Sequence, residues 1–182
     1  IMFKTSASLE EAGKTQVVIL DKTGTITGGQ PKVTEMITAS GVSEMELLQN
    51  AYSLEVKSEH PLARAIVTYA ENQSLTAENL QNFTVFPGTG LEGVTAAGEV
   101  LCAGNEAFIS SKAQITLQLQ NTAQKLASEG KTRLFFAKDG LLSGIIAVSD
   151  VIRPESTKAI NQMHQMGIRT IMLTGDKQRT DE

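Results

Sequence analysis

The chain has 182 residues, with 16 Lys and Arg against 20 Asp and Glu, so its formal net charge is −4. This balance, without a basic stripe, argues against a nucleic-acid-binding surface, and we expect no nucleic acid partner. Hydrophobic residues make up 41% of the sequence and aromatic residues only 4%. These values predict a packed core built mainly from aliphatic side chains.

Two further features bound the class of protein. The single cysteine, Cys102, excludes an intramolecular disulfide and fits a reducing compartment. It is predicted to be a small buried side chain rather than a metal ligand. No apolar run approaches the roughly 20 residues of a membrane helix, and no signal peptide opens the chain, so the chain as given is expected to be soluble.

A short helical turn, Ser8–Gly13, precedes the first strong signal in the chain. Val17–Leu20 is apolar and mostly β-branched, and it ends abruptly at Asp21. This pattern predicts a buried parallel strand. Asp21 would then lie at the carboxyl end of the strand, where open α/β sheets bind their ligands.

The pattern changes after Gly28–Pro31, a turn-rich segment that predicts a hinge. Ser43–Glu46 has the spacing of a capping box, and Pro61 suits the first position of a helix. After this hinge the sequence predicts strands at Lys32–Thr38 and Phe83–Phe86 and hairpins at 91–103 and 132–148. It also predicts four helices: one at 43–57, one that begins at Pro61, one at Asn105–Ser110 and one at Ile115–Glu129.

An α/β pattern returns near Gly144. A strand at Gly144–Val148, a helix from Pro154 and a strand at Ile168–Leu173 predict one right-handed βαβ unit. The predicted fold class is therefore α/β: a parallel-sheet domain interrupted by an inserted α+β domain with an antiparallel sheet. The predicted boundaries are 1–30 and 143–182 for the parallel-sheet domain and 31–142 for the insertion.

The segment Asp21–Thr27 suggests covalent chemistry. An Asp at a strand end, followed by hydroxyls and a flexible Gly24, can attack phosphorus and become an aspartyl phosphate. An ordinary polar turn is the alternative. The full string Asp-Lys-Thr-Gly-Thr-Ile-Thr resembles the phosphorylation signature of P-type ATPases, which belong to the haloacid dehalogenase superfamily. The resemblance implies that Asp21 accepts the phosphoryl group beside Lys22, and that Asp21 and the Thr23 carbonyl hold Mg²⁺.

Thr23 bears on a rival function. Phosphatases of this superfamily usually carry a second Asp at that position, which protonates the leaving group and later activates water. A threonine cannot do this near neutral pH. The resulting aspartyl phosphate should hydrolyse slowly, which suits a pump better than a soluble phosphatase.

Two later acidic motifs extend the resemblance. Thr174-Gly175-Asp176 resembles the motif that holds the phosphoryl group in P-type ATPases, although Lys177 follows it where the family usually has Asn. Asp150–Arg153 resembles the segment where the inserted domain rejoins the phosphorylation domain. We place Asp150 with the cofactor-binding residues, and a helix cap is its alternative role. If the strands are neighbours, Asp21, Asp150 and Asp176 would converge on one crevice.

The inserted domain carries a nucleotide-binding signal. Ser-Glu-His-Pro-Leu at 58–62 resembles the signature of heavy-metal-transporting P-type ATPases, in which the Glu and His lie near adenine. This implies that Glu59 and His60 bind ATP. An imidazole at a helix N-terminus tends to stay neutral, which suits contact with a base. The weaker Gly88-Thr89-Gly90 triplet would let backbone approach the nucleotide.

The resemblance spans the chain and implies a cytoplasmic, monomeric fragment of an integral membrane pump that uses ATP and Mg²⁺. Its partners would be the transmembrane and actuator domains of that pump. Gly144–Asp150 looks more like copper-type than zinc-type members, so copper export is the preferred function. Family motifs that complete the phosphate site lie beyond Glu182, so the fragment is expected to bind ATP without turnover. The rivals are a soluble phosphatase and a purely nucleotide-binding module.

Overall fold

The computed structural model describes residues 5–173, and the chain divides into two units. One unit comprises the residues up to Gln30 and those from Asp150 onward, and the other comprises Pro31–Ser149. Each unit is described separately below.

The described residues contain six α-helices and eight strands. The helices are α1 (Ser6–Gly13), α2 (Glu44–Glu55), α3 (Pro61–Asn72), α4 (Glu106–Ser110), α5 (Leu117–Ser128) and α6 (Pro154–Gln165). The strands are β1 (Val17–Asp21), β2 (Thr27–Thr38), β3 (Gln81–Phe86), β4 (Gly90–Val94), β5 (Val100–Gly104), β6 (Thr132–Lys138), β7 (Leu141–Ile152) and β8 (Arg169–Leu173).

The first unit contains a parallel pair of strands, as predicted, but the predicted burial of β1 is wrong, because Val17 and Ile19 are 44% and 59% exposed. Strands β1 and β8 pair in parallel, with Ile19 opposite Ile171 and Asp21 opposite Leu173. Helix α6 begins at Pro154, as predicted, because proline has the backbone φ of a first helical residue and no N–H to leave unpaired. This arrangement places Asp21 at the carboxyl end of its strand.

The second unit is a sheet covered by helices on both faces. Its strand order is β2-β7-β6-β5-β4-β3, and the pairs from β7 to β3 are antiparallel. The consecutive residues Phe135 and Phe136 point to opposite faces, as alternation along a strand requires. Phe136 packs in the core beneath α2 and α3, and Phe135 packs in the core beneath α4 and α5. Both cores are mainly aliphatic, as the composition predicts.

Local helix signals are confirmed in this unit. The Ser43 hydroxyl caps α2 by accepting a hydrogen bond from the Glu46 amide at 3.1 Å. Pro61 occupies the first turn of α3. Such capping removes one of the unpaired amides at a helix start, which is why the boundaries can be read from sequence.

Three predictions about β2 and β7 are wrong. Gly28–Pro31 is not a turn but part of the extended strand β2. Residues 144–148 do not join a βαβ unit, because they belong to β7 and pair antiparallel with β6. For the same reason the second boundary lies after Ser149 rather than after Leu142. Because β7 pairs with β6 as far as Val148, the inserted unit extends seven residues beyond the predicted boundary at Leu142.

Residues 5–173 include no helix with both the length and the apolar character needed to cross a membrane.

Candidate functional site

Asp21 is exposed at the end of β1, where the chain enters a tight turn over Lys22–Ile26. Its backbone is extended, and its side chain caps no amide of the turn. Gly24 has φ 77°, a left-handed conformation that costs glycine little but strains other residues. The sequence therefore presents a carboxylate on a sharply turned backbone, directly after a paired strand.

The Thr27 side chain stabilises this turn by hydrogen bonds to the backbone of the turn. Its hydroxyl accepts a hydrogen bond from the Gly24 amide at 3.1 Å. The two acceptors within reach of its own proton are the Lys22 carbonyl oxygen, at 2.9 Å, and the Asp150 carboxylate. The same carboxylate accepts from the Gly29 amide at 3.2 Å. Asp150 therefore supports the backbone that carries Asp21.

Arg153 braces the same turn. Its Nε donates to the Thr27 carbonyl at 2.9 Å, its Nη2 donates to the Gly24 carbonyl at 3.3 Å, and its amide donates to the Ile26 carbonyl at 3.0 Å. The alternative role of Asp150 as a helix cap is wrong, because the N-cap position of α6 is Arg153. The Asp150–Arg153 segment thus supports the turn that follows Asp21, through contacts within the first unit.

A cavity of about 340 Å³ lies in the second unit. This is within the ~300–1,000 Å³ of small-molecule pockets. Its walls come from the C-terminal end of α2, the start of α3, the β3–β4 turn and the ends of β5 and β6. The lining residues that carry the argument below are Glu55, His60, Val85, Gly88, Leu134 and Asn105.

His60 is the N-cap residue of α3, and its own ring provides the cap. The Leu62 amide donates to His60 Nδ1 at 3.2 Å. Because Nδ1 accepts this bond, the proton of the neutral ring is on Nε2. His60 is exposed at the cavity, so it offers a single N–H donor to a ligand there.

Glu55 is the functional candidate that the sequence reasoning missed. It is the last residue of α2, lines the cavity and is only 5% exposed. Burial raises the pKa of its carboxyl group to about 7, and a hydrogen bond with the Ser58 side chain opposes the shift. The available signal was a glutamate at a position that belongs to the apolar face of α2, since such residues are seldom buried without a role.

The β3–β4 turn forms one edge of the cavity. The Thr89 amide donates to the Phe86 carbonyl at 3.0 Å, and Gly88 has φ 72°. Proline followed by glycine at the two central positions is the pattern of a type II turn. Gly90 has a different reason to be glycine: a Cβ there would lie 2.4 Å from the Phe108 ring. A glycine is therefore required at position 90 for packing against Phe108, whether or not a ligand approaches the backbone there.

The structure brings three of the predicted nucleotide residues together in the second unit. His60, Gly88 and Gly90 line the cavity, whereas Glu59 is exposed and does not. Asp150 belongs to the first unit. The motif at 174–176 lies outside the described residues.

Cys102 is buried beneath α4 and α5, as predicted. Burial raises the pKa of its thiol to about 11, which disfavours the thiolate that binds metals. Nowhere in residues 5–173 do three His, Cys, Asp or Glu side chains gather as they would around a metal ion.

The fold and the turn at Asp21 define a class of protein. Residues 15–182 match the family model described as haloacid dehalogenase-like hydrolase, and the chain belongs to that family. A copper-transporting P-type ATPase from Rhizobium leguminosarum bv. viciae is 38% identical over 99% of this chain. The chain spans only about a fifth of that relative, 21%.

Solved structures agree with the sequence match. A zinc-transporting PIB-type ATPase shares 32% identity and a TM-score of 0.87, over 98% of this chain and 28% of that one. The catalytic domain of the CPx-ATPase CopB-B, described for its conformational changes upon nucleotide binding, shares 26% identity and a TM-score of 0.65. That match covers 97% of this chain and 61% of that one. The chain thus resembles the catalytic segment of metal-transporting P-type ATPases.

Proposed function

We propose that the chain is the ATP-binding and phosphorylation segment of an ATP-driven heavy-metal export pump. The observation that carries this proposal is the cavity of the second unit, whose walls include a buried acid, the imidazole that caps α3 and a glycine turn. In the parent pump the segment would lie on the cytoplasmic face of the membrane and work with the transmembrane and actuator domains.

ATP is the ligand that this cavity fits best. The polar residues at its mouth, His60 and Asn105, are exposed, while Glu55 is buried among apolar side chains. A nucleobase is the flat, poorly hydrated part of ATP and gains most from the buried end. The triphosphate keeps its water and its counter-ions at the open end.

Asp21 is the phosphoryl acceptor in this proposal. A carboxylate oxygen attacks the γ-phosphorus, the bond from phosphorus to the β,γ-bridging oxygen breaks, and ADP leaves with that electron pair. Lys22 adjoins the attacking group in the sequence, and Thr174, Gly175 and Asp176 would position the phosphoryl group. The Asp21 carboxylate and the Thr23 carbonyl are hard oxygen ligands that suit Mg²⁺, which neutralises phosphate charge when bound.

Copper is the metal we propose for the parent pump, on the resemblance of Gly144–Asp150 to copper-type members. The relatives include both copper and zinc transporters. Stimulation of the full-length pump's ATPase activity by Cu⁺ supports copper, and stimulation by Zn²⁺ alone reverses the assignment.

Two rival functions are tested by measurements on this chain and on the full-length pump. A soluble phosphatase would hydrolyse phosphate monoesters with Thr23 in place. A purely nucleotide-binding module would bind ATP, but Asp21 would remain unphosphorylated even in the full-length pump. A phosphatase assay, a nucleotide titration and phosphoenzyme formation therefore separate the three.

His60→Ala is expected to weaken ATP binding about fivefold, since a single hydrogen bond is worth ~1 kcal/mol. Titration calorimetry measures the change. The matched control is His60→Asn, because Asn caps a helix well and so preserves the start of α3 while removing the ring. Equal loss in both variants supports contact between the ring and ATP. Normal affinity in the Asn variant would mean that His60 acts only as a cap.

A further inference from the structure

The sheet is thin where it forms a wall of the cavity. Gly90 of β4 and Gly104 of β5 lie opposite each other, and both line the cavity. Behind these two strands lies the ring of Phe108, a half-buried residue of α4. A Cβ added at Gly90 would lie 2.4 Å from this ring, and one added at Gly104 would lie 2.8 Å from it. The backbone of two glycines therefore separates the ring from the cavity.

Phe108 lies on the face of the sheet opposite the apolar lining of the cavity. Leu91 and Leu134 line the cavity and belong to the core beneath α2 and α3, or pack against it. Phe108 packs against the core beneath α4 and α5. Because successive side chains of a strand point to opposite faces, these two cores are separated by the sheet. Any influence of Phe108 on a bound ligand must therefore act through the backbone between them.

Both ends of the β3–β4 turn contact the Phe108 ring. At the start of the turn, the ring of Phe86 lies with its centroid 5.1 Å from that of Phe108, at an angle of 44° between the planes. This geometry is within the range of favourable aromatic pairs. At the end of the turn, Phe108 packs directly against Gly90. Residues 87–89 between these ends are exposed and include a glycine, so the contacts at the two ends fix the position of the turn.

Asn105 links the start of α4 to the same turn. Its side-chain oxygen accepts a hydrogen bond from the Phe108 amide at 2.9 Å and caps α4. Its own amide donates to the Thr89 carbonyl at 2.9 Å, and its side-chain nitrogen donates to the Gly88 carbonyl at 3.5 Å. The ring, the start of the helix and the turn therefore form a closed set of contacts behind the wall of the cavity.

Lys112 stabilises the ring pair from its outer side. Its ammonium group lies 5.7 Å from the centroid of Phe108 and 5.8 Å from that of Phe86. A cation within about 6 Å of an aromatic centroid is attracted by the ring. The same ammonium group pairs with the carboxylate of Glu92 on β4 at 2.6 Å. This ion pair connects the two rings to the strand that leaves the turn.

We propose that Phe108 is a positioning residue of the nucleotide site, which holds the β3–β4 turn in the arrangement that binds the ligand. The inference rests on the proposed nucleotide site and adds to it a residue that does not touch the nucleotide. With the ring in place the turn is preorganised, so binding does not have to order it. Without the ring, we expect the turn to occupy the binding arrangement about a tenth of the time, which lowers the apparent affinity about tenfold.

The test is the dissociation constant of ATP, measured by titration calorimetry for this chain and for three variants at position 108. Phe108→Ala should bind about tenfold more weakly. Phe108→Leu keeps an apolar side chain against the core but is too short to touch both glycines and the Phe86 ring, so it should bind about threefold more weakly. Phe108→Tyr keeps the ring, and its hydroxyl can reach solvent from this half-buried position, so it should restore binding to within about twofold.

Leu126→Ala is the matched control. Leu126 is 2% exposed and belongs to the same core as Phe108, but it lies on α5, away from the walls of the cavity. Its truncation should destabilise the unit by leaving a cavity in that core, and the folded protein should still bind ATP normally. Amide exchange without ATP gives a second readout. In Phe108→Ala the Asn105 amide should exchange faster relative to the amides of β7, and Leu126→Ala should leave this ratio unchanged.

The Leu variant keeps the test decisive if Phe108→Ala does not fold. Weaker binding in Phe108→Leu, restored in Phe108→Tyr and absent from Leu126→Ala, supports the inference. Normal affinity in Phe108→Leu, or a loss in Phe108→Tyr or Leu126→Ala as large as that in Phe108→Leu, overturns the inference alone. Failure of the parent chain to bind ATP overturns the proposed function itself.

Discussion

Asp21→Asn in the full-length pump is expected to abolish the phosphorylated intermediate formed from ATP. A neutral amide is a far weaker nucleophile than a carboxylate, and replacing a nucleophile costs on the order of a millionfold in rate. The fold of the turn should persist, because the Asp21 side chain caps none of its amides. The measurement is incubation with γ-labelled ATP followed by an acid gel.

Asp139→Asn is the matched control for this change. Asp139 is exposed in the second unit with φ 50°, a conformation that Asn also tolerates. Its carboxylate accepts from the Val100 amide at 2.8 Å, and an Asn oxygen can replace it. The control should therefore label normally. An acid-stable label that persists in Asp21→Asn would move the acceptor to another residue.

Glu55→Gln is expected to stabilise the second unit at about pH 8 by roughly 3 kcal/mol. The pKa of Glu55 is raised in the folded protein from 4.5 to about 7, so folding favours its protonated form. That contribution is fully present below about pH 4.5 and is lost as the pH rises through about 7. A shift of about 2.5 units corresponds to this free energy, at 1.36 kcal/mol for each unit. Glutamine carries no charge and avoids the loss.

Urea unfolding followed by tyrosine fluorescence measures this effect. Both tyrosines, Tyr52 and Tyr69, belong to the second unit, and the chain has no tryptophan, so the signal reports that unit alone. The gain in the free energy of unfolding should vanish near pH 4. A gain of equal size at both pH values would show that folding does not raise the pKa of Glu55, and a loss at pH 8 would show that Glu55 is stabilised as a carboxylate.

The sequence predicted those parts of the fold that depend on local chemistry. Ser43 and Pro61 mark helix starts because capping and proline geometry act within one turn. The run before Asp21 identifies a strand because four consecutive apolar, mostly β-branched residues have a high strand propensity and end at a polar turn. These signals lie within a few residues of the feature they predict.

The errors concern pairing between distant segments. Nothing local distinguishes Gly144–Val148 as a strand of a parallel sheet from the same residues in a long antiparallel strand, since both are buried and apolar. Gly28–Pro31 has the composition of a turn, yet it lies in strand β2. In both cases the observed structure depends on pairing with strands that are distant in the sequence.

The candidate site was predictable where a contiguous motif carries it. Asp21 and His60 belong to such motifs. In the structure Asp21 lies at the end of β1, and His60 caps α3 at the cavity. Glu55 lies outside the five-residue motif and enters the cavity because α2 ends beside α3, a relation that only packing reveals. Glu59, inside the motif, is directed to solvent instead.

The central claim is that the cavity of the second unit binds ATP. The most direct measurement is an amide chemical-shift map of this chain, recorded by NMR during titration with ATP. The account predicts saturable shifts concentrated at Glu55, Leu62, Gly88, Gly104 and Asn105, with smaller shifts elsewhere. The absence of saturable shifts, or shifts centred on α5 around Leu119 and Leu126, which line the core on the opposite face of the sheet, would contradict it.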